Sequence, residues 1–123
     1  MLASTLDKKK FENICIIDTS AKIGSKIKVS GGAKCNITNE LVTCNNYLGD
    51  REFAKELLEK KKKNELLAFL NKNGVFPKIN PKIVKGTYFC NSSQDVIAMF
   101  TKLTTHVKKY LNTTVLDVTF DKH

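Results

Sequence analysis

Apolar residues fall into short clusters separated by polar stretches, a pattern that predicts alternating helices and strands. Met1 to Lys10 predicts a helix. Ile14 to Asp18 is an unbroken apolar run closed by a carboxylate, which is typical of a buried parallel strand. Thr19 to Asn46 is rich in Gly, Ser, Asn and Lys, so we expect a long functional loop with one helical turn at Ser25 to Ile27.

The middle of the chain predicts two helices joined at a run of lysines. Asp50 is positioned to cap the first helix. The inner side of that helix carries Phe53, Leu57 and Leu58. Lys60 to Lys63 then interrupts the apolar pattern with four like charges, which predict a solvated junction. Asn64 is positioned to cap the second helix, and Gly74 to end it in a left-handed conformation. The apolar residues of this helix are Leu66, Leu67, Phe69 and Leu70.

The last third of the chain predicts a strand, a long helix and a second strand. Lys82 to Cys90 follows a turn-rich stretch and predicts a strand or a hairpin. Ser92, with an acid three residues later, resembles a capping box at the start of the clearest helix. The apolar positions of that helix are Val96, Phe100, Leu103, Val107 and Tyr110. Thr114 to Phe120 alternates and predicts a strand, so the whole order of elements favours an α/β fold.

Length and composition limit the class of protein. With 123 residues, 41% of them hydrophobic and 27% charged, the chain is one domain or a piece of a larger one. No apolar run reaches the roughly 20 residues of a membrane helix, and no secretory leader is recognisable at the start. We therefore expect a cytoplasmic protein without a membrane partner.

The net charge of +9 comes almost entirely from lysine, because Arg51 is the only arginine. Lysine attracts polyanions but lacks the bidentate fork with which arginine reads bases. Aromatic residues do not alternate with the lysines as stacking platforms for single strands would. The pattern favours a solvated lysine-rich surface, and nucleic acid is not the expected partner. The alternative function is a noncatalytic basic module that binds polyanions or nucleic acid through Lys8 to Lys10 and Lys60 to Lys63.

Four cysteines raise the question of disulfides or a metal site. They are Cys15, Cys35, Cys44 and Cys90. No Cys-x-x-Cys spacing occurs, and both histidines lie far from any cysteine pair in the sequence, so the pattern predicts no metal site. We expect reduced thiols in a cytosol, with Cys15 as a small core residue. No Ser-His-Asp or paired-carboxylate pattern identifies a catalytic side chain.

A strand that ends in an acidic residue is a feature of dinucleotide-binding βαβ units. In such units the acid binds the adenosine ribose, and a glycine-rich turn about 20 residues earlier directs the pyrophosphate to a helix N-terminus. Asp18 fits the acid, but counting back that distance leads to a position before Met1. The spacing alone therefore favours a structural strand over a nucleotide site.

The segment Ser30 to Asn39 carries two adjacent glycines. Such glycines let backbone amides approach a phosphate or a ring carbonyl. Lys34 adds a cationic group, and Asn36 and Thr38 add polar groups. By residue type alone, a flexible turn and a ligand-binding loop are equally favoured.

The residues from Gly24 to Asn39 read Gly-Ser-Lys-Ile-Lys-Val-Ser-Gly-Gly-Ala-Lys-Cys-Asn-Ile-Thr-Asn. This segment resembles the signature of the BaiN/YhiN-like NAD(P)/FAD-dependent oxidoreductases. In that family a strand ending in Asp or Glu precedes Gly-Arg-Lys and then Ser-Gly-Gly-Gly-Arg-Cys-Asn-x-Thr-Asn. Phe69 to Val75 and Gly86 to Val96 resemble two later family segments less closely. The likeness covers most of this chain and the N-terminal third or so of a family member.

The sequence departs from the family pattern at several positions. Ala33 stands in place of a glycine, and Ser25 and Lys34 stand in place of arginines. Thr87 and Cys90 stand in place of the Arg and Pro of a later motif. The family's Gly-x-Gly-x-x-Gly turn, with its leading strand, does not occur among the 123 residues.

The resemblance implies a partial Rossmann-type FAD-binding domain of α/β class, with FAD and NAD(P)H as partners in flavin hydride transfer. Residues 1–46 would be the remnant of the dinucleotide-binding unit, and residues 47–123 a helical and strand extension of the same incomplete domain. The cofactor-binding residues that it implies are Asp18, Lys26, Ser30, Gly31, Gly32, Lys34, Cys35 and Asn36. Asp18 would meet the adenosine ribose, and the loop from Ser30 to Asn36 would lie against the flavin. The chain alone would then bind FAD weakly, lack turnover and tend to self-associate.

Overall fold

The computed structural model describes residues 1–7, 9–30, 32–60, 62–82 and 84–120. The helices are α1 (Leu2–Thr5), α2 (Ser25–Val29), α3 (Arg51–Lys60), α4 (Lys63–Lys72) and α5 (Ser93–Leu103), with a short 3-10 helix at Cys44–Asn46. The strands are β1 (Cys15–Ile17), β2 (Asn36–Asn39), β3 (Lys78–Ile79), β4 (Thr87–Phe89) and β5 (Lys108–Tyr110). This composition confirms the predicted α/β class and is compatible with part of a Rossmann-like domain.

β1 pairs with β5 in a parallel ladder, with Cys15 opposite Lys108 and Ile17 opposite Tyr110. The amide of Asp18 donates to the carbonyl of Tyr110 at 3.0 Å, so Asp18 lies at the carboxyl end of the ladder. A parallel strand that ends at the acid is therefore confirmed.

The predicted burial of this strand is wrong. Ile17 is 45% exposed, and Cys15, expected in the core, is an exposed free thiol. An apolar strand is buried when neighbours flank it and other elements cover both of its faces. Among the described residues, β5 alone pairs with β1, and that single neighbour leaves much of the strand accessible.

The second sheet is antiparallel and has the strand order β2-β4-β3. The prediction of a loop over Thr19 to Asn46 is wrong at residues 36–39, which form β2. Composition conceals this strand because Ile37 is its only strongly apolar residue. β4 confirms the strand predicted within Lys82 to Cys90, and α2 confirms the helical turn predicted at Ser25 to Ile27.

The side chain of Asn39, at the end of β2, bonds to Lys85 and to Thr87 at the start of β4. The amide nitrogen Nδ2 of Asn39 donates to the carbonyl of Lys85 at 3.0 Å and to the hydroxyl of Thr87 at 2.8 Å. Its Oδ1 accepts from the amide of Leu41 at 2.7 Å. Asn39 thus replaces ladder hydrogen bonds where the strand ends.

The helix predicted after Asp50 is confirmed, but the predicted burial of its apolar side chains is not fully confirmed. Asp50 Oδ1 accepts from the amide of Phe53 at 3.0 Å, as an N-cap does. The buried residue of α3 is Ala54, whereas Phe53 is 59% exposed and Leu57 is 46% exposed. Leu58, the third residue of the predicted inner side, is half-buried, so the predicted burial is wrong for Phe53 and Leu57 only.

The predicted start of α4 is wrong, whereas its predicted end is confirmed. It starts at Lys63, with Lys62 at the N-cap position and no side-chain cap, so the predicted cap at Asn64 is wrong. Its predicted left-handed end is confirmed, because Gly74 has φ +83°. The amide of Gly74 donates to the carbonyl of Asn71, and that of Val75 to Leu70, which is the Schellman pattern.

α5 begins as predicted and ends earlier. The hydroxyl of Ser92 accepts from the amide of Gln94 at 3.1 Å. The helix stops at Leu103, so the predicted continuation through Val107 and Tyr110 is wrong. Lys109 Nζ donates to the carbonyls of Thr104 at 2.6 Å and Val107 at 3.1 Å. These bonds stabilise the turn that leads into β5.

The two ends of the described chain hold less regular structure than predicted. The first helix covers Leu2–Thr5 and ends where Leu6 becomes extended, rather than continuing to Lys10. Thr114 to Phe120 forms no strand, so that prediction is wrong. Alternation alone does not make a strand, because the backbone needs a partner to bond. Leu116 is 93% exposed and has no ladder neighbour in the described residues.

The chain divides into two compact units, one formed by residues 1–25 together with those from 100 onward, and one formed by Lys26–Met99. The buried apolar residues of the second unit are Cys35, Ala54, Leu70, Val75, Phe89, Cys90, Val96 and Met99. In the first unit, Thr104 and Val107 are buried. Within the described residues, no helix has the length and apolar character needed to cross a membrane.

We expect the Gly86→Ala variant to lose more stability than Gly74→Ala. Both glycines have left-handed φ, +73° and +83°, where an alanine costs about 1 kcal/mol. A Cβ at Gly74 would meet nothing within 4 Å, whereas one at Gly86 would lie 2.9 Å from Asn39 Oδ1 and 3.2 Å from Leu41 Cγ. Three hydrogen bonds hold the Asn39 side chain against moving aside.

Urea unfolding of the two variants and the parent measures the difference. Gly74→Ala serves as the matched control, because it carries the same backbone penalty without the close contact. Equal losses of unfolding free energy would contradict the tight approach of Asn39 to Gly86.

Candidate functional site

Most of the site residues predicted from the sequence lie in the connection between α2 and β2. We call Ser30 and residues 32–36 the 30–36 loop; Gly31, also predicted, lies outside the described residues. The amide of Ser30 donates to the carbonyl of Ile27 at 3.2 Å and continues the α2 turn. The amide of Cys35 donates to the carbonyl of Ser30 at 3.1 Å, which closes the loop on itself.

Three residues of this loop have left-handed backbones: φ is +61° at Gly32, +68° at Ala33 and +57° at Cys35. Glycine adopts this conformation freely, but a residue with a Cβ pays about 1–2 kcal/mol for it. Ala33 and Cys35 therefore store strain, and surrounding interactions must maintain it.

Backbone hydrogen bonds from the other side of the second unit maintain this conformation. The amide of Cys90 donates to the carbonyl of Lys34 at 3.0 Å and, at 3.4 Å, to that of Cys35. The amide of Ser93 donates to the carbonyl of Ala33 at 2.8 Å. The carbonyls of Ala33, Lys34 and Cys35 are thus bonded to the amides of Cys90, which follows β4, and Ser93, the first residue of α5.

The outward side of the loop is open and polar. Gly32, Ala33 and Lys34 are exposed, and a Cβ built on Gly32 would meet nothing within 4 Å. Lys26 on α2 and Asn36 at the start of β2 are also exposed. A small-residue backbone with a nearby ammonium and a carboxamide suits a flat polar ring or an anionic group. The outward side of the described loop residues is therefore accessible to a ligand of this kind.

Asp18 belongs to the first unit, whereas the other described site residues from Lys26 to Asn36 belong to the second. Asp18 is half-buried, and its Oδ1 accepts from the amide of Ser20 at 2.7 Å. Its carbonyl accepts from the amide of Thr113 at 3.1 Å. These bonds fix the backbone and the carboxylate of Asp18 at the end of the parallel ladder.

Two of the four free thiols lie in the core beside the loop. Cys35 is 6% exposed and Cys90 is 3% exposed. Burial raises the pKa of the Cys35 thiol. Burial, and then the nearby Cys35 and Asp95, raise the pKa of Cys90 to about 11. Both groups are therefore protonated near neutral pH.

Sequence reasoning overlooked Ser93 as a support of the site. Ser93 is 2% exposed; besides its amide bond to Ala33, its hydroxyl lies 3.5 Å from the carbonyl of Lys28. The pair of serines at the start of α5 is the available sequence signal, and the capping pattern accounts for Ser92 alone. Cys90 is one of the four cysteines and a departure from a family motif, and neither feature predicts its contact with the loop. In the described ranges, no group of three or more His, Cys, Asp or Glu is arranged to hold a metal ion.

Comparison with known proteins relates part of this chain to two curated enzymes, while no family model matches it. It is 36% identical over 66 residues to a 3-dehydro-bile acid delta(4,6)-reductase of Clostridium scindens, covering 53% of this chain and 16% of the relative. It is 32% identical over 101 residues to the ribosomal RNA dihydrouridine synthase of Escherichia coli, covering 80% of this chain and 24% of the relative. The chain thus spans no more than about a quarter of the length of these relatives.

We expect Ala33→Gly to raise the free energy of unfolding by up to about 1 kcal/mol, because it relieves a left-handed alanine. Ala33 is exposed, so little packing is lost. Ala68→Gly is the matched control, since Ala68 is an exposed helical residue of α4 where glycine costs about 1 kcal/mol. Urea unfolding measures both changes, and destabilisation by Ala33→Gly as large as that by Ala68→Gly would contradict the strain at Ala33.

We expect stability to fall between pH 9 and pH 11 more steeply in the parent than in Cys90→Ala. The unfolded chain releases the Cys90 proton at the ordinary pKa of 9.0, whereas the folded chain keeps it until its pKa of about 11. This stabilisation is complete below pH 9.0 and is lost as pH rises through about 11. All other residues are the same in both proteins, so the difference between their unfolding curves isolates Cys90. Parallel curves for the two proteins would refute the raised pKa of Cys90.

Proposed function

We propose that this chain is part of a flavin-dependent oxidoreductase of the BaiN/YhiN-like type, which transfers hydride between NAD(P)H, FAD and a substrate. The observation that carries the proposal is the 30–36 loop: the signature-like residues form a strained, anchored turn with an open outward side. Strained backbone maintained at a surface loop is characteristic of ligand sites.

The two curated relatives agree with this chemistry. One is named a reductase, and the other forms dihydrouridine, which carries two more hydrogens than uridine. Both names therefore denote addition of hydrogen to a substrate. Hydride addition of this kind is flavin and nicotinamide chemistry, for which a protein supplies binding and orientation.

In this proposal the described residues divide the work of holding FAD. The carboxylate of Asp18 would bind the adenosine ribose. Gly32, Cys35 and Asn36, with Ser30 and the undescribed Gly31, would line the flavin, and Lys26 and Lys34 would supply positive charge. FAD, when bound, supplies the hydride-accepting and hydride-donating ring. The chain would contribute the exposed backbone of Gly32 and Ala33 and the ammonium of Lys34.

The chain would be one incomplete cytoplasmic domain of the larger enzyme, with residues 1–46 from the dinucleotide-binding unit and residues 47–123 as its extension. No Gly-x-Gly-x-x-Gly sequence occurs in the 123 residues. A glycine-rich helix start is the usual partner of a cofactor's diphosphate. The phosphate contacts of FAD would therefore come from other residues of the enzyme.

We expect the 123-residue chain to bind FAD weakly or not at all and to have no turnover. Loss of the phosphate contacts removes several kcal/mol, and each 1.4 kcal/mol changes affinity about tenfold. Titration of FAD into the purified chain, followed by flavin fluorescence, measures the affinity. A version extended upstream with the missing strand and glycine turn provides the comparison. Micromolar binding by the short chain would contradict this division of the site.

In the extended protein, we expect Lys34→Gln to weaken FAD binding. Removing one partly exposed cation from an anionic ligand costs about 1 kcal/mol, or several-fold in affinity. Lys55→Gln is the matched control, because Lys55 is an exposed lysine of α3 outside the 30–36 loop. If both substitutions weakened FAD binding equally, Lys34 would contribute only general positive charge and no specific contact.

The alternative function, polyanion binding through the lysine runs, receives less support from the contacts of the described lysines. Lys60 forms an ion pair with Glu56, and Lys63 lies 3.5 Å from Glu40 Oε1. Two of the four charges at this junction are therefore already compensated within the chain. Lys62 is exposed, and Lys61, like Lys8, lies outside the described residues.

We expect any binding of RNA or heparin to weaken by orders of magnitude between about 50 and 200 mM salt, as nonspecific phosphate contacts do. Fluorescence anisotropy with a labelled ribosomal RNA fragment and an unrelated RNA of equal length tests this. Binding that prefers one RNA and survives at 200 mM salt would favour the alternative.

A further inference from the structure

Cys35 and Cys90 are the residues next to the last pair of the β2–β4 ladder. The antiparallel register pairs Asn36 with Phe89, so the next residue outward on each chain is a cysteine. The amide of Cys90 donates to the carbonyl of Cys35 at 3.4 Å, which brings the two backbones together at this point. Opposite residues of an antiparallel ladder have Cα atoms about 4.5–5.5 Å apart. A disulfide joins Cα atoms about 4.4–6.8 Å apart.

We propose that Cys35 and Cys90 form a redox modification site, in which hydrogen peroxide converts the two thiols into a reversible intramolecular disulfide. The reaction does not require the proposed flavin chemistry, because the two thiols and the oxidant are sufficient for it, although Cys35 also belongs to the loop proposed to line the flavin.

The electrostatics of the pair agree with close approach of the two sulfurs. Cys35 is among the groups that raise the pKa of Cys90. Burial raises the pKa of both thiols, so each reacts through a small thiolate fraction at neutral pH and oxidation is expected to be slow. We assign the attack on the oxidant to Cys35, the more exposed of the two thiols, and the resolving step to Cys90.

The two other thiols are poor candidates for the same reaction. Cys15 is exposed on β1 in the first unit, and Cys44 is half-buried in the 3-10 helix. Cys44 has no cysteine opposite it in the described ladders. Cys15 lies opposite Lys108, not opposite a cysteine. An isolated exposed thiol oxidises to sulfenic acid or joins another molecule rather than forming an internal bridge.

The reaction balances in two steps. The Cys35 sulfur attacks one peroxide oxygen, the O–O bond breaks, and a sulfenic acid forms while the departing hydroxide takes a proton and leaves as water. The Cys90 sulfur then attacks the Cys35 sulfur, the S–O bond breaks, and the second hydroxide leaves as water with the Cys90 proton. Two electrons from the thiols reduce one peroxide to two waters.

The disulfide would fix the shape of the 30–36 loop. Its backbone at Cys35 is already left-handed and is held there by hydrogen bonds from residues after β4. A covalent link between Cys35 and Cys90 replaces part of this support and closes a long segment of chain, which stabilises the folded state. Oxidation is therefore expected to raise the urea midpoint, and reduction to restore it.

The experiment uses the purified chain and a Cys15→Ser/Cys44→Ser double variant that keeps only the proposed pair. Each is treated with equimolar hydrogen peroxide and then alkylated under denaturing conditions. We expect the double variant to lose both titratable thiols, to fall in mass by two hydrogens and to yield one peptide pair linked through Cys35 and Cys90. Dithiothreitol should restore both thiols and the original urea midpoint.

Matched controls separate the pair from general thiol oxidation. Cys35→Ala and Cys90→Ala, each made in the double variant and checked for folding by circular dichroism, should lose the mass change of the bridge and gain oxygen instead. Sulfinic acid, linked dimers or unreacted thiols in the folded double variant would each overturn the proposal. The parent should give the same Cys35–Cys90 peptide, and a bridge to Cys15 or Cys44 in its place would also overturn it.

Discussion

The antiparallel pairing of β2 with β4 is the interaction on which the candidate site depends. It brings the residues that follow β4 against the 30–36 loop, where the amides of Cys90 and Ser93 occupy the carbonyls of Lys34 and Ala33. Without these bonds, the left-handed conformations of Ala33 and Cys35 would relax, because each costs about 1–2 kcal/mol. The burial of Cys90 and Ser93 excludes water that would otherwise compete for the same carbonyls.

The same arrangement explains why the loop is polar on one side only. Its carbonyls are bonded inward, and Cys35 is buried with them. Gly32 and Lys34 are left on the accessible side, with open space over Gly32. A loop built in this way offers backbone and charge to a ligand while its own conformation is fixed by the core. That is the kind of preorganisation that lowers the cost of binding.

Several features that depend only on residues close together in the sequence were predicted correctly. The apolar run before Asp18, the cap at Asp50 and the left-handed end at Gly74 all depend on neighbouring residues, and all three were found. Burial and strand pairing were predicted less well, because they depend on distant partners. β2 has almost no apolar pattern and exists through its pairing with β4, whereas Thr114 to Phe120 has the pattern and no described partner.

The candidate site follows the same division between local and distant determinants. Its predicted residues lie between positions 18 and 36, but several of the interactions that position them come from the last third of the chain. Asp18 is held by backbone bonds to Tyr110 and Thr113, and the 30–36 loop is held by Cys90 and Ser93. A short motif can therefore identify the residues of such a site, but it contains only some of the interactions that give them their conformation. Changes near Cys90 are expected to alter the 30–36 loop, and changes near Tyr110 are expected to alter the backbone at Asp18.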